Sequence, residues 1–172
     1  MAVPAATVKI VRQRTGAGIL ESKNALEETA GDIDKAIESL REKGIAKGVK
    51  LSGKRGDNEL NQGLIESYIH TGGRVGVLME LNCETDFVAR TDDFKSLAHN
   101  LALQIAAMNP AYVGVDDLPE NPSEQDIEAS LWNQPFIRDS SVRIKDLVTE
   151  AIGKLGENIK LTRFVRYELG AE

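Results

Sequence analysis

One cysteine, two histidines and no long apolar run leave this sequence of 172 residues with few of the usual handles on chemistry. A single Cys83 excludes an internal disulfide, and with it any argument for an oxidising compartment. His70 and His99 add too few ligands to Cys83 for a zinc site, and neither lies near it in sequence to suggest a Cys–His pair. A lone cysteine after a strand packs more often as a small hydrophobe. The sequence is therefore expected to hold no catalytic residue, no metal and no cofactor. No stretch approaches the roughly 18 consecutive apolar residues of a membrane-spanning helix. The opening MAVPAATVKIVRQRTG has charges among its apolar residues, unlike a signal peptide. A cytoplasmic location without membrane contact is the expectation.

What is present is ordinary globular composition, 41% hydrophobic and 28% charged, on a chain long enough to bury a core. The net charge of −6 is unevenly spread. Residues 1–56 carry 11 basic and 7 acidic side chains for a net +4, and residues 57–172 carry 10 and 20 for a net −10. An acidic body repels phosphate backbones, so no direct nucleic-acid partner is expected. The exception is KGIAKGVKLSGKR, Lys43 to Arg55, basic, glycine-bearing and free of acids, which reads as a solvated linker.

The pattern divides the chain into a three-helix module over 1–46, this linker over 47–62 and an α+β body over 63–172. Pro4 to Arg14 predicts a first helix, with Val8 and Val11 three apart. Ile19 to Thr29 predicts a second, with Ala25 and Leu26 inward. Asp32 caps a third, where Ile33, Ala36, Ile37 and Leu40 follow helical spacing and Gly44 stands as terminator. Between the first two, Gly16 and Gly18 resemble part of a dinucleotide loop, but the third position is Glu21 and no strand precedes it, so a tight helix–helix turn is expected. Three short helices enclose little core, which suits a docking module.

In the body, Gly63 to His70 and Arg74 to Leu81 predict a hairpin about Thr71-Gly72-Gly73. A third strand is expected where Ile159, Leu161, Arg163, Val165, Tyr167 and Leu169 alternate with the residues between them. Two helices should cover the sheet. One is capped by Thr91, runs through Phe94, Leu97, Leu101 and Ile105, and is stopped by Asn109-Pro110; the other spans Asp146 to Leu155 and ends at Gly156. The result is a three-stranded antiparallel sheet packed with helices. Asp116 to Asn133, acidic and weakly periodic, reads as a surface connection.

The stretch NCETDFVAR, Asn82 to Arg90, sets a large aromatic among charges at a strand's end. Thr85 can cap a short helix beginning Asp86-Phe87-Val88. Phe87 then either turns inward with Val88 to close the core, gaining roughly 1.5–3 kcal/mol from burial, or protrudes as a protein–protein anchor. The residues alone leave both open.

Four blocks in order resemble the bacterial elongation factor Ts family: RQRTGAGILESKNALEETAGDIDKAIESLREKG (Arg12 to Gly44), YIHTGGRVGVLMELNCETDFVAR (Tyr68 to Arg90), AAMNPAYV (Ala106 to Val113) and LGENIKLTRFVRYELG (Leu155 to Gly170). The resemblance covers nearly the whole chain. It implies a module similar to ubiquitin-associated three-helix domains. It also implies guanine-nucleotide exchange on elongation factor Tu, in GDP-bound and nucleotide-free states, without covalent chemistry. The TDFV signature falls on Thr85, Asp86, Phe87 and Val88, and implies that Asp86 and Phe87 enter the G domain of Tu near its magnesium and nucleotide. Arg12, Ile19 and Leu20 match the module's partner contacts.

The chain holds one core copy where long members hold two, so the resemblance implies the short class, whose members pair as homodimers. Its 116–133 connection is shorter than usual for the family. Two other readings make different demands: a translation-associated adaptor of the same fold without exchange activity, and a small hydrolase using Cys83 and His70.

Overall fold

In the computed structural model, which describes residues 3–52 and 60–171, the N-terminal segment forms three helices. Pro4 sets the entry to α1 (Ala5–Thr15), its ring holding φ at −63°. α2 (Ile19–Glu28) starts at Gly18, whose N–H donates to the Glu21 carboxylate at 3.0 Å. α3 (Ile33–Ser52) follows Asp32, whose carboxylate accepts the Lys35 N–H at 3.1 Å and is held below the usual aspartate range chiefly by that bond. Val11, Ala25, Leu26 and Ala36 form a small sealed core, with Val8, Ile33, Ile37 and Leu40 packed around it.

The expected end of the third helix at Gly44 is overturned, and with it the linker character of residues 47–52. α3 runs on through Gly44 and Gly48 to Ser52. The reason is packing on α7 (Ile144–Leu155). A Cβ on Gly48 would fall 1.9 Å from the Thr149 carbonyl oxygen, and one on Gly153 would fall 2.1 Å from that of Gly44. The glycines thus let two helices meet backbone to backbone. Glycine inside a helix costs roughly 1 kcal/mol against alanine, which this close contact offsets. Arg41 adds ion pairs to Glu150 at 3.3 Å and Asp139 at 3.7 Å. Residues 53–59 of the expected linker lie outside the described residues.

β1 (Gln62–Ile69) and β2 (Val75–Cys83) form the expected hairpin, and β5 (Ile159–Glu168) pairs antiparallel with β2, giving a three-stranded sheet in the order β1-β2-β5. Alternation sends Val77, Met79, Leu81 and Cys83 of the central strand inward. α5 (Asp92–Met108) and α7 cover them with Phe94, Leu97, Leu101, Ile105, Val148 and Ile152. Thr91 caps α5 by accepting the Phe94 N–H at 3.2 Å, and Asn109 ends it at φ 45°. The architecture is α+β.

β5 departs from strict alternation. Its pairing with β2 slips between Glu80 and Leu81, so that Arg163 faces Glu80 while Leu161 faces Leu81, leaving Thr162 as the extra residue of a bulge. Ile159 and Leu161 point inward before it; after it Phe164 packs on the core while Val165 and Tyr167 point outward. Together with Ile65, Ile69 and Leu78 they make an exposed apolar outer face.

The stretch 116–133 is also more than a surface connection. A 3-10 turn (Val115–Asp117) and α6 (Glu124–Ala129) lead into a second 3-10 turn (Leu131–Asn133), whose Leu131 is fully buried in the main core. The small strands β3 (Pro135–Phe136) and β4 (Asp139–Arg143) follow. Buried Gln104 of α5 holds them, donating to Gln134 and to the Pro135 carbonyl and accepting the Ile137 N–H at 2.9 Å. Apolar periodicity could not announce this, because the attachment rests on the adjacent Leu131 and Trp132 and on one glutamine rather than on a repeating stripe.

Candidate partner-binding surface

Beyond Cys83 the chain turns a corner. Thr85 is extended (φ −126°) and caps α4 (Asp86–Ala89), a single turn, by accepting the Val88 N–H at 3.3 Å. Successive helical residues are rotated by about 100°, so neighbours can face opposite ways. Val88 packs on the core, whereas Phe87 is 80% exposed. The reading in which Phe87 closes the core is excluded. Asp86 pairs with Arg90 at 2.9 Å, one turn on.

Every polar group of Thr85 is engaged. Its N–H and hydroxyl both donate to the Glu157 carboxylate, at 3.0 and 2.6 Å. Its carbonyl accepts the Cys83 thiol at 3.2 Å and the Ala89 N–H at 3.3 Å. In return the Asn158 N–H donates to Glu84 at 2.8 Å. Burial, and then the negative charge of Glu157, push the Cys83 thiol up to about 11. It therefore remains a protonated donor at neutral pH and is a poor nucleophile. Cys83 pairs with Gln62 at one end of the hairpin, while the His70 N–H bonds Val75 at the other. The hydrolase reading loses its pair. Among the described residues no three metal-binding side chains converge, and no helix is long and apolar enough to cross a membrane.

Glu157 was not singled out by sequence reasoning, although it lies in the LGENIK block. The usable signal is register. The last rung of the β2–β5 ladder pairs Cys83 with Ile159, and two positions beyond that rung stand Thr85, after Cys83, and Glu157, before Ile159.

The module's candidates divide. Arg12 and Ile19 line one shallow groove between α1 and α2, apolar at Val3 and Val8 and rimmed by Lys9 and Lys23. Leu20 lies outside that lining, exposed on α2 beside Ile19. No hydrogen bond or ion pair links these three residues to the Thr85–Val88 corner among the described residues. The molecule thus presents two separate surfaces, an apolar point on a braced turn and a basic-rimmed apolar groove.

Comparison with known proteins gives both surfaces a common context. Residues 6–128 match the family model described as elongation factor TS. The chain is similar to the elongation factor Ts of Thermotoga neapolitana, 46% identical over 193 aligned positions that cover 96% of each chain. It is 48% identical over 200 positions to that of Coprothermobacter proteolyticus, covering 99% of this chain and all of the relative. With that of Moorella thermoacetica it shares 46% over 198 positions, covering 98% and 96%. These alignments exceed the 172 residues of the chain, so each relative carries residues that it lacks. Likeness at this level, running from the groove through the braced corner to the last strand, leaves one conclusion: the chain belongs to the elongation factor Ts family of translation elongation factors.

Proposed function

We propose that the chain is a guanine-nucleotide exchange factor for elongation factor Tu, binding its GDP-bound form and stabilising its nucleotide-free form in the cytoplasm. The observation that carries this reading is Phe87, a large apolar side chain exposed at the tip of a turn whose other side chains are anchored. An aromatic in that situation gains by being buried in another protein. Asp86 and Phe87 enter the G domain near the magnesium and nucleotide, and the groove of Arg12 and Ile19, with Leu20 beside it, docks on the same domain. Magnesium requires near-octahedral geometry, so displacing one of its supports weakens nucleotide binding. By linkage, a factor that lowers GDP affinity is itself bound more weakly in the presence of GDP by the same ratio. No covalent step is needed, and no nucleic acid or membrane takes part.

The outer sheet face supports a symmetric homodimer. Ile65, Ile69, Leu78, Val165 and Tyr167 share an exposed sheet face that no helix covers among the described residues, and a self-complementary sheet face is suited to two-fold pairing.

Stopped-flow release of a fluorescent GDP from elongation factor Tu tests the exchange reading. Substoichiometric chain should accelerate release with turnover. An unchanged release rate at saturating chain overturns it.

A further inference from the structure

We infer that Glu157 is a positioning residue for nucleotide exchange, acting through Thr85 to hold the corner that presents Phe87; this rests on the exchange reading above. Beyond the last rung of the β2–β5 ladder the two chains no longer exchange backbone hydrogen bonds in the ordinary way. Side chains take over. Gly156, in left-handed conformation at φ 77°, ends α7 and accepts no substitute easily, and the chain leaving it brings Glu157 opposite Thr85.

There one carboxylate receives two bonds from a single residue, the N–H at 3.0 Å and the hydroxyl at 2.6 Å. Bonds to an ionised acceptor are the stronger kind. They also fix the direction of the hydroxyl. With its proton committed to Glu157, the Thr85 oxygen is left to accept the Val88 N–H at 3.3 Å, the bond that starts α4. Phe87 lies inside that turn with its ring 80% exposed, so little packing holds it in place. Its orientation is therefore inherited from the cap, and the cap's from Glu157. The reciprocal bond from Asn158 to Glu84 at 2.8 Å braces the same crossing.

Glutamine at 157 keeps the shape and removes the charge. Its amide oxygen can accept only one of the two Thr85 donors well, and its NH2 then faces the other. Glu157 itself need not touch the partner for this to matter. A wedge held a fraction of an ångström or a few degrees off its productive position loses much of its effect.

The test is a double-mutant cycle on maximal GDP release from saturated elongation factor Tu, with Glu157→Gln, Phe87→Ala and the double variant. Glu157→Gln should lower the maximal rate about tenfold in the Phe87 background, in proportion to one lost charge-assisted bond. In the Phe87→Ala background it should change the rate less than about twofold, because nothing remains to be positioned. A residue important only for folding would reduce the active fraction, raising the concentration needed for half-saturation while leaving the maximal rate intact. Thr85→Val, which keeps the shape and removes the hydroxyl that links Glu157 to the Val88 N–H, should likewise lower the maximal rate in the Phe87 background and change it less than about twofold in the Phe87→Ala background, giving a second reading if Glu157→Gln folds poorly; a parental rate for Thr85→Val counts against the inference. Equal rates for Glu157→Gln and the parent, or a full tenfold loss persisting without Phe87, overturn the inference and leave the exchange reading standing. Failure of the parent chain to release GDP overturns both.

Discussion

Replacing Phe87 by alanine separates what the residue does for the fold from what it does for a partner. Burying a phenylalanine completely is worth about 1.5–3 kcal/mol. With the ring 80% exposed, only about a fifth of that gain is realised on folding, or roughly 0.3–0.6 kcal/mol. For a chain of this length such a loss lowers the melting temperature by about 1–2 °C. Phe94, fully buried beneath the sheet, is the internal control: Phe94→Ala should cost roughly 3–5 kcal/mol and melt far lower. On the partner the order reverses. A central aromatic anchor is worth about 2 kcal/mol or more in binding, which is roughly a thirtyfold weakening. Thermal melting followed by circular dichroism, with GDP release measured on the same preparations, gives both quantities. The reasoning fails if Phe87→Ala melts near Phe94→Ala, or if it melts like the parent and still releases GDP at the parent's rate and affinity.

Other consequences are as direct. Gly48→Ala should destabilise by about 1–3 kcal/mol through overpacking, because its Cβ meets the Thr149 backbone at 1.9 Å. Gly44→Ala, whose Cβ would meet only the Glu150 side chain at 3.6 Å, should be neutral or gain up to about 1 kcal/mol of helix propensity; equal melting of the two variants would refute the backbone-contact argument. Tyr167→Glu, which places a charge on the outer sheet face, should give monomers by light scattering, and an unaltered mass would remove that face from the proposed dimer. The Cys83 thiol should resist iodoacetamide at pH 8 until the chain unfolds. Its pKa is higher folded than unfolded, so its contribution is complete below about pH 9 and is lost as pH rises toward about 11; Cys83→Ala should flatten that alkaline slope in melting temperature. Deleting residues 1–50 should lower the melting temperature of the body by stripping α3 from α7, and an unchanged transition would show that the glycine crossing contributes nothing.

Much of this fold could be read along the chain because its longer elements obey one period at a time. α5 carries Thr91 at one end, Asn109 at the other and a clean apolar stripe between them. The hairpin is announced by two apolar runs about a Gly-Gly turn. The failures occur where one residue type serves two physical purposes. Gly44 and Gly48 look like a helix stop and a loose linker because glycine lowers helix propensity, yet both sit inside a helix, and Gly48 is there to let another backbone approach. Which purpose applies is decided by Gly153, more than a hundred residues away. The bulge at Thr162 escapes for a related reason: inserting one residue swaps the faces of a strand without altering its composition, so Val165 and Tyr167 seem to continue the inward row of Ile159 and Leu161. The connection at 116–133 hides a single core leucine, too little for any period to register.

The corner shows the same limit from the side of function. Composition permitted Phe87 to face in or out, and only the family resemblance favoured outward; in the structure Val88 takes the inward place and leaves Phe87 in solvent. Nothing local to TDFV names its brace, since Glu157 is 72 positions from Thr85. α7 connects the two ends of the problem. Its middle receives α3 at Gly153, its Lys154 pairs with Asp93 at 2.7 Å and lies so close to Gly16 that a Cβ there would fall 2.2 Å from the ammonium, and its last turn delivers Glu157 to Thr85. The groove of Arg12 and Ile19 and the tip at Phe87 are therefore referred to one helix. A substitution at Gly153 that lifts α3 displaces the groove's supporting helix directly, and it reaches the tip only if α7 itself moves. Loss of docking affinity with an intact maximal release rate would then mark the first effect, and loss of both the second.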